Sequence, residues 1–188
     1  LAQIQHAETI EVPFDDEYRL PADALAAAGA AVTLVANPNA PSGTPFTVAE
    51  LESLARRVVG LMIIDEAYVD FAESSAVELP RRCENVIVLR TLSKGYSMAG
   101  LRLGFGVARP ELLTQLMKVK DSYNVDAVAC AVGAAAFGDQ AYHNKCVAKV
   151  RASRGVLAGR LKSLGFAVWP SQANFLLVRI DRGDITAA

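Results

Sequence analysis

Three short apolar runs divide the first half of the chain: Ala31-Val32-Thr33-Leu34-Val35-Ala36, Leu61-Met62-Ile63-Ile64, and Asn85-Val86-Ile87-Val88-Leu89. Unbroken runs of this length predict strands buried on both faces, the pattern of a parallel sheet covered by helices. Each run stops abruptly in a polar loop: Asn37-Pro38-Asn39-Ala40-Pro41-Ser42-Gly43, Asp65-Glu66-Ala67-Tyr68, and Thr91-Leu92-Ser93-Lys94. A fourth run, Leu103 to Val107, leads away from the last loop. In open α/β sheets ligands bind in the crevice beyond the carboxyl ends of the strands, so three such endings point to one shared site.

Helical patterns separate the runs. Pro21-Ala22-Asp23 starts a short Ala-rich helix that Gly29 stops. Thr47 and Glu50 form a capping-box pattern ahead of Leu51, Leu54, Ala55 and Val58 on one face. Ala7 to Val12 reads as a weak strand. Pro110 opens a helix with Leu112, Leu113, Leu116 and Met117 on its buried side, and Lys118 and Lys120 suit its solvated C-terminal end.

From Val125 the pattern changes. Val125 to Phe137 and Gln140 to Leu164 read as helices, the second carrying Tyr142, Cys146, Val150, Leu157, Leu161 and Leu164 as a core stripe with Gly165 as its stop. Two strands, Phe166 to Trp169 and Asn174 to Arg179, follow around Pro170-Ser171-Gln172. The shift predicts an α/β protein in two parts, a mostly parallel large domain over 1–124 and connecting helices with part of a smaller α+β domain over 125–188.

Composition narrows the partners. With 188 residues, 52% hydrophobic, 21% charged and a net charge of -1, the chain offers no electrostatic case for nucleic acid or an anionic membrane, which leaves a small molecule. Cys83, Cys130 and Cys146 match no metal spacing and read as small core hydrophobes in a reducing compartment. No apolar stretch approaches the roughly 20 residues of a membrane span. His6 has no sequence neighbours that suggest catalysis, and His143 reads as a surface or satisfied histidine. The ends, Leu1-Ala2-Gln3 and Ile185-Thr186-Ala187-Ala188, do not resemble natural boundaries, so pieces are expected on both sides.

The loop at Lys94 carries the most specific chemistry. A lysine delivered from the end of a buried strand, with Thr91 and Ser93 before it and Arg102 eight residues later, suits an aldehyde cofactor that bears a phosphate. A lysine in a Ser/Gly-rich loop is also an ordinary solvated position, and Asp65 alone could cap a turn.

Taken together, Asn37 to Gly43, Asp65-Glu66-Ala67-Tyr68, and Ser93-Lys94 followed by Ala99-Gly100-Leu101-Arg102-Leu103-Gly104 resemble the class I/II pyridoxal-phosphate aminotransferases. Within that family Leu89 to Lys94 and the Asp-Glu-Ala-Tyr quartet are most similar to the histidinol-phosphate branch, and Ala173-Asn174-Phe175-Leu176 resembles a small-domain strand. The resemblance implies the aspartate aminotransferase-like fold with pyridoxal 5'-phosphate as cofactor. Lys94 would hold the cofactor as a Schiff base and move the substrate proton, Asp65 would pair with the pyridine nitrogen, and Tyr68 would donate to the ring phenolate oxygen. Thr91, Ser93 and Arg102 would hold the phosphate.

The reaction would be ping-pong, between a small amino donor and a 2-oxo acid such as 2-oxoglutarate, in a cytoplasmic homodimer. Two departures from the family pattern stand out. Ala40 occupies the place of an Asn that contacts the ring oxygen, a role left to Tyr68 with help from Asn39. The family's Gly-rich phosphate cradle, the tyrosine lent by a partner subunit and the substrate-gripping arginine should lie outside Leu1 to Ala188. An aromatic aminotransferase, a threonine-phosphate decarboxylase and a non-catalytic regulatory domain or fragment remain alternatives of the same fold.

Overall fold

The computed structural model describes residues 2–180. Four strands form the main sheet in the order β1 (Val32–Ala36), β2 (Leu61–Asp65), β3 (Val86–Thr91), β4 (Gly104–Val107). The first three are parallel, with Val35 beside Ile64 and Ile64 beside Val88, and β4 returns antiparallel with Gly104 beside Thr91. Spatial neighbours are therefore chain neighbours. The polar endings of β1, β2 and β3 fall on one edge, in sequence order.

Helices α1 (Ala22–Ala27) and α2 (Val48–Ala55) cover one face. Thr47 caps α2 as its pattern predicts: its hydroxyl accepts from Glu50 N–H while the Glu50 carboxylate accepts from Thr47 N–H. Leu51, Leu54, Met62, Ile64, Leu79 and Val86 are fully buried between helices and sheet, each contributing about 1.5–3 kcal/mol of apolar transfer. Beyond the sheet, α3 (Pro110–Met117), α4 (Ala127–Gly138) and α5 (Gln140–Ser163) precede a short antiparallel pair, β5 (Ala167–Val168) and β6 (Val178–Arg179).

Several expectations need correction. The apolar runs predict burial on both faces, yet β1 alternates, with Thr33 and Val35 buried and Val32 and Leu34 exposed, because α1 and α2 pack on only one side. Ala7 to Val12 forms no strand. A cleft of about 840 Å³ separates that segment from β1, so no ladder hydrogen bonds form, and an extended segment without a partner has nothing to hold it as a strand. In α3, Leu112 and Leu113 are half-buried while Leu116 and Met117 are exposed, since no described element packs over the helix's second turn.

The predicted stripe on α5 holds in part, with Cys146, Val150 and Leu161 half-buried. His143 and Val147 are the buried residues, and Tyr142, Leu157 and Leu164 face outward. Polar contacts set that rotation: Arg151 donates to the carbonyls of Asp70 and Ala72, and Arg154 to those of Phe71 and Ala173. Cys83 is a core residue as expected, whereas Cys130 is exposed on α4.

Candidate active site

Main-chain hydrogen bonds hold the three strand endings together. Asn37 N–H donates to Asp65 O and Glu66 N–H to Leu89 O, both at 2.9 Å. At the end of β2 the half-buried Asp65 accepts from Ala67 N–H through Oδ1 at 3.0 Å, closing a turn on its own side chain. Tyr68 lies one turn on. Its ring packs edge-to-face on Phe175 at 5.0 Å, and the Lys94 Nζ stands 5.2 Å from the ring centroid. The lysine is thus close enough for a cation–π attraction.

After β3 the chain turns on its own hydroxyls. Ser93 N–H donates to Thr91 Oγ1 at 3.1 Å, and that hydroxyl donates to Ser93 Oγ at 2.9 Å. Leu92 N–H to Leu103 O and Met98 N–H to Leu92 O close the loop. Arg102 ends the following turn in the left-handed region (φ 55°) with its guanidinium on Ala99 O. Neither Lys94 nor Arg102 pairs with a carboxylate among the described residues. Asp65 likewise has no cationic partner there.

This donor set fits pyridoxal phosphate. Two hydroxyls and a guanidinium with no carboxylate partner among the described residues suit a phosphate, a half-buried carboxylate suits a protonated ring nitrogen, and an amine near a phenol suits an aldehyde beside a phenolate. The fit is incomplete at one place. Asn39 is buried and its amide donates to Ser42 Oγ at 2.8 Å, so it is committed within its own loop. Asn37 is committed too, accepting from Phe46 N–H at 2.7 Å. Both asparagines are thus engaged within the β1 loop.

Glu66 and Arg90, quoted in the motifs but given no role, form the support beneath the site. The fully buried Glu66 carboxylate accepts from Ala76 N–H, Ser75 Oγ and Arg90 Nε, tying the end of β2 to the end of β3. A charged residue directly after the apolar run of β3 was the available signal, since a part-buried guanidinium requires an acidic partner. Glu66→Ala strands Arg90 and is expected to destabilise the fold by about 3 kcal/mol, read as a lower urea midpoint at unchanged slope.

The first loop is held in place by the last described segment. Gly43 has φ +77°, and a Cβ there would overlap the Ser171 side chain. Gln172 N–H also donates to Gly43 O at 2.8 Å. Gly43→Ala should cost about 2–4 kcal/mol through backbone strain and overpacking. Calorimetric melting of the variant checks this, and an unchanged transition would dismiss both causes.

His143 departs from expectation. It is buried against Asp70 and Tyr96, and neither ring nitrogen has a hydrogen-bond partner. His6 is exposed and has no place in the site.

The chain is 57% identical over 184 residues to histidinol-phosphate aminotransferase 1 of Nostoc sp., covering 98% of this chain and 52% of that protein. It is 42% identical over 184 residues to the histidinol-phosphate aminotransferase of Rhodopirellula baltica, covering 97% of this chain and 51% of that one. The crystal structure of the Sinorhizobium meliloti histidinol-phosphate aminotransferase in complex with pyridoxal-5'-phosphate superimposes with a TM-score of 0.85 at 28% identity, over 94% of this chain and 50% of that one. The chain therefore spans about half the length of the relatives it matches. With the model for aminotransferase class I and II matching residues 1–184, and the strand-end site arranged as above, the chain belongs to the class I and II aminotransferase family.

Proposed function

We propose that this chain is the cofactor-binding part of a histidinol-phosphate transaminase, converting L-histidinol phosphate and 2-oxoglutarate to imidazole acetol phosphate and glutamate with pyridoxal 5'-phosphate. The observation that carries the reading is the convergence of Asp65, Tyr68, Thr91, Ser93 and Lys94 on one sheet edge, in a chain 57% identical to a histidinol-phosphate aminotransferase. Bound there, the cofactor supplies an aldehyde that condenses with amines and a pyridinium ring that accepts the electron pair released at the substrate α-carbon.

The chain's own groups divide the remaining work. Lys94 would hold the aldehyde and, once freed from it, would carry the proton at the substrate α-carbon. Asp65 keeps the ring nitrogen protonated by charge. Tyr68 donates to the ring oxygen, the role Ala40 cannot take. Thr91 and Ser93 hydroxyls and the Arg102 guanidinium, of which only Nη1 is engaged by Ala99 O, would hold the phosphate.

In this reading residues 1–124 belong to the larger, cofactor-binding domain and 125–188 to the connecting helices and part of a smaller one, with 181–188 outside the described residues. The protein acts as a cytoplasmic homodimer. Free Cys83, Cys130 and Cys146 suit a reducing compartment. The outward Val128 and Val132 of α4 suit burial against another surface.

The test uses the longest form of the protein that carries this chain. It is reconstituted with pyridoxal phosphate, L-histidinol phosphate is added alone, and the visible band of the lysine-bound cofactor is followed. Loss of the band with formation of the pyridoxamine form supports the assignment. A band that does not respond to this amine would reject histidinol phosphate as donor, and a stable monomer with full activity in light scattering would reject the dimer.

A further inference from the structure

Beneath the Lys94 loop lies a group of side chains that the proposed reaction does not use. Gly95 is buried, and a Cβ on it would overlap the carboxylate of Asp70, so that carboxylate lies directly against the backbone next to Lys94. Asp70 comes from the 3₁₀ turn Val69–Phe71, two residues after Tyr68. From the opposite side α5 contributes His143, whose Nε2 stands 3.6 Å from Asp70 Oδ1. The imidazole stacks on the Tyr96 ring at 4.1 Å between centroids and 20° between planes, and Gln140 Nε2 donates to the Tyr96 hydroxyl at 3.0 Å. Lys94-Gly95-Tyr96 thus rests on a shelf built from two distant segments.

The shelf is polar where packing alone would favour apolar groups. The side chains of His143 and Asp70 are 9% and 14% exposed, and Asp70 is the acidic group within reach of an imidazole that has no hydrogen bond of its own. The separation of 3.6 Å exceeds a hydrogen bond but permits charge attraction. Burial pushes the Asp70 carboxyl above its usual range, while His143 and Arg90 pull the other way. Arg151 also faces this turn, donating to the Asp70 carbonyl.

The sign follows from that direction. Stability from Asp70 is present below its ordinary value of 3.8 and is lost as pH rises through the raised one. A buried carboxyl set against an imidazole and the backbone beside a reactive lysine is a mark of function.

We infer that Asp70 and His143 are positioning residues for Lys94, a buried carboxylate–imidazole pair that fixes the backbone from which the lysine amine reaches the cofactor aldehyde. The inference rests on the role given to Lys94 above. Asp70 meets the Gly95 backbone, His143 holds Asp70 and the Tyr96 ring, and the amine is presented toward Tyr68. A reactive group displaced by about 1 Å can lose as much as 10²-fold in rate, so loosening the shelf acts on turnover rather than on substrate affinity.

Asp70→Asn preserves shape beside Gly95 and removes the charge, and His143→Phe preserves the stack on Tyr96 and removes the partner. Both are made in the longest form of the protein that carries this chain. Without cofactor, trace acetic anhydride labels the lysines, and peptide mass spectrometry reads Lys94 relative to the exposed Lys118. Both variants should raise Lys94 labelling at pH 8 about threefold or more, as a loosened loop presents the amine differently. With cofactor, kcat should fall about 10- to 100-fold at a nearly constant KM for the amine.

Lys94 labelling equal to the parent's in both variants overturns the inference, whatever the cofactor does. A parent that forms no visible band with pyridoxal phosphate, while the variants still change Lys94 labelling, removes the proposed function and leaves the positioning role standing.

Discussion

Lys94→Ala is expected to abolish transamination while leaving the melting transition in place. The amine would both hold the cofactor and carry the proton, and general acid–base work alone is worth about 10²–10⁴-fold in rate, so the loss should reach at least that range. Stability should change by no more than about 0.5 kcal/mol, because Lys94 is exposed and its side chain meets the face of Tyr68 only at 5.2 Å, while its carbonyl keeps the hydrogen bond from Ser97 N–H. Single-turnover absorbance with the amino donor, alongside circular dichroism melting, measures both. Turnover within tenfold of the parent would remove Lys94 from the chemistry, and a collapsed melt would assign it to the fold.

Asp65→Asn carries the second largest effect and separates charge from shape. The amide oxygen can still accept from Ala67 N–H, as Oδ1 does at 3.0 Å, so the turn after β2 survives. What disappears is the negative charge that would keep the ring nitrogen protonated. Removing one preorganised electrostatic partner typically costs about 10²–10³-fold in kcat. Asp65→Ala should lose the same rate and in addition about 1 kcal/mol of stability from the lost hydrogen bond. Equal turnover in parent and Asn variant would show that the carboxylate caps a turn and nothing more, the alternative open in the sequence.

The two substitutions probe neighbouring strand endings, and the Glu66–Arg90 pair between them makes those endings one structural unit. Changes at Lys94 and Asp65 act on a frame that Glu66 holds, whereas Glu66→Ala would move the frame itself. Activity lost in the Glu66 variant would therefore follow its stability, while activity lost at Lys94 or Asp65 would not.

The sequence by itself determined the elements whose energetics are local. Apolar runs placed β1, β2 and β3, the Thr47–Glu50 capping box placed the start of α2, and Gly29 and Gly165, with φ of +60° and +87°, mark helix stops as their residue type predicts. The strand-end motifs were legible for the same reason: Asp65, Thr91, Ser93 and Lys94 lie within a few residues of the strands that deliver them, and parallel pairing of consecutive strands brings those ends together.

Tertiary structure decided what depends on partners distant in the chain. The buried face of α5 followed Arg151 and Arg154 reaching the carbonyls of Asp70, Ala72 and Phe71, 79 to 83 residues earlier, which no helical periodicity encodes. Ala7 to Val12 has strand-like residues and no strand, because pairing requires a neighbouring edge and a cleft stands in its place. Asn39, free in the sequence, proved committed to Ser42. The Asp70–His143 pair, seventy-three residues apart in numbering, meets under Gly95 because the 3₁₀ turn after β2 and the first turns of α5 pack on the same loop. Solvation explains the division: an exposed or strand-end group is satisfied by its neighbours and by water, while a buried polar group must be matched by whatever the fold brings to it.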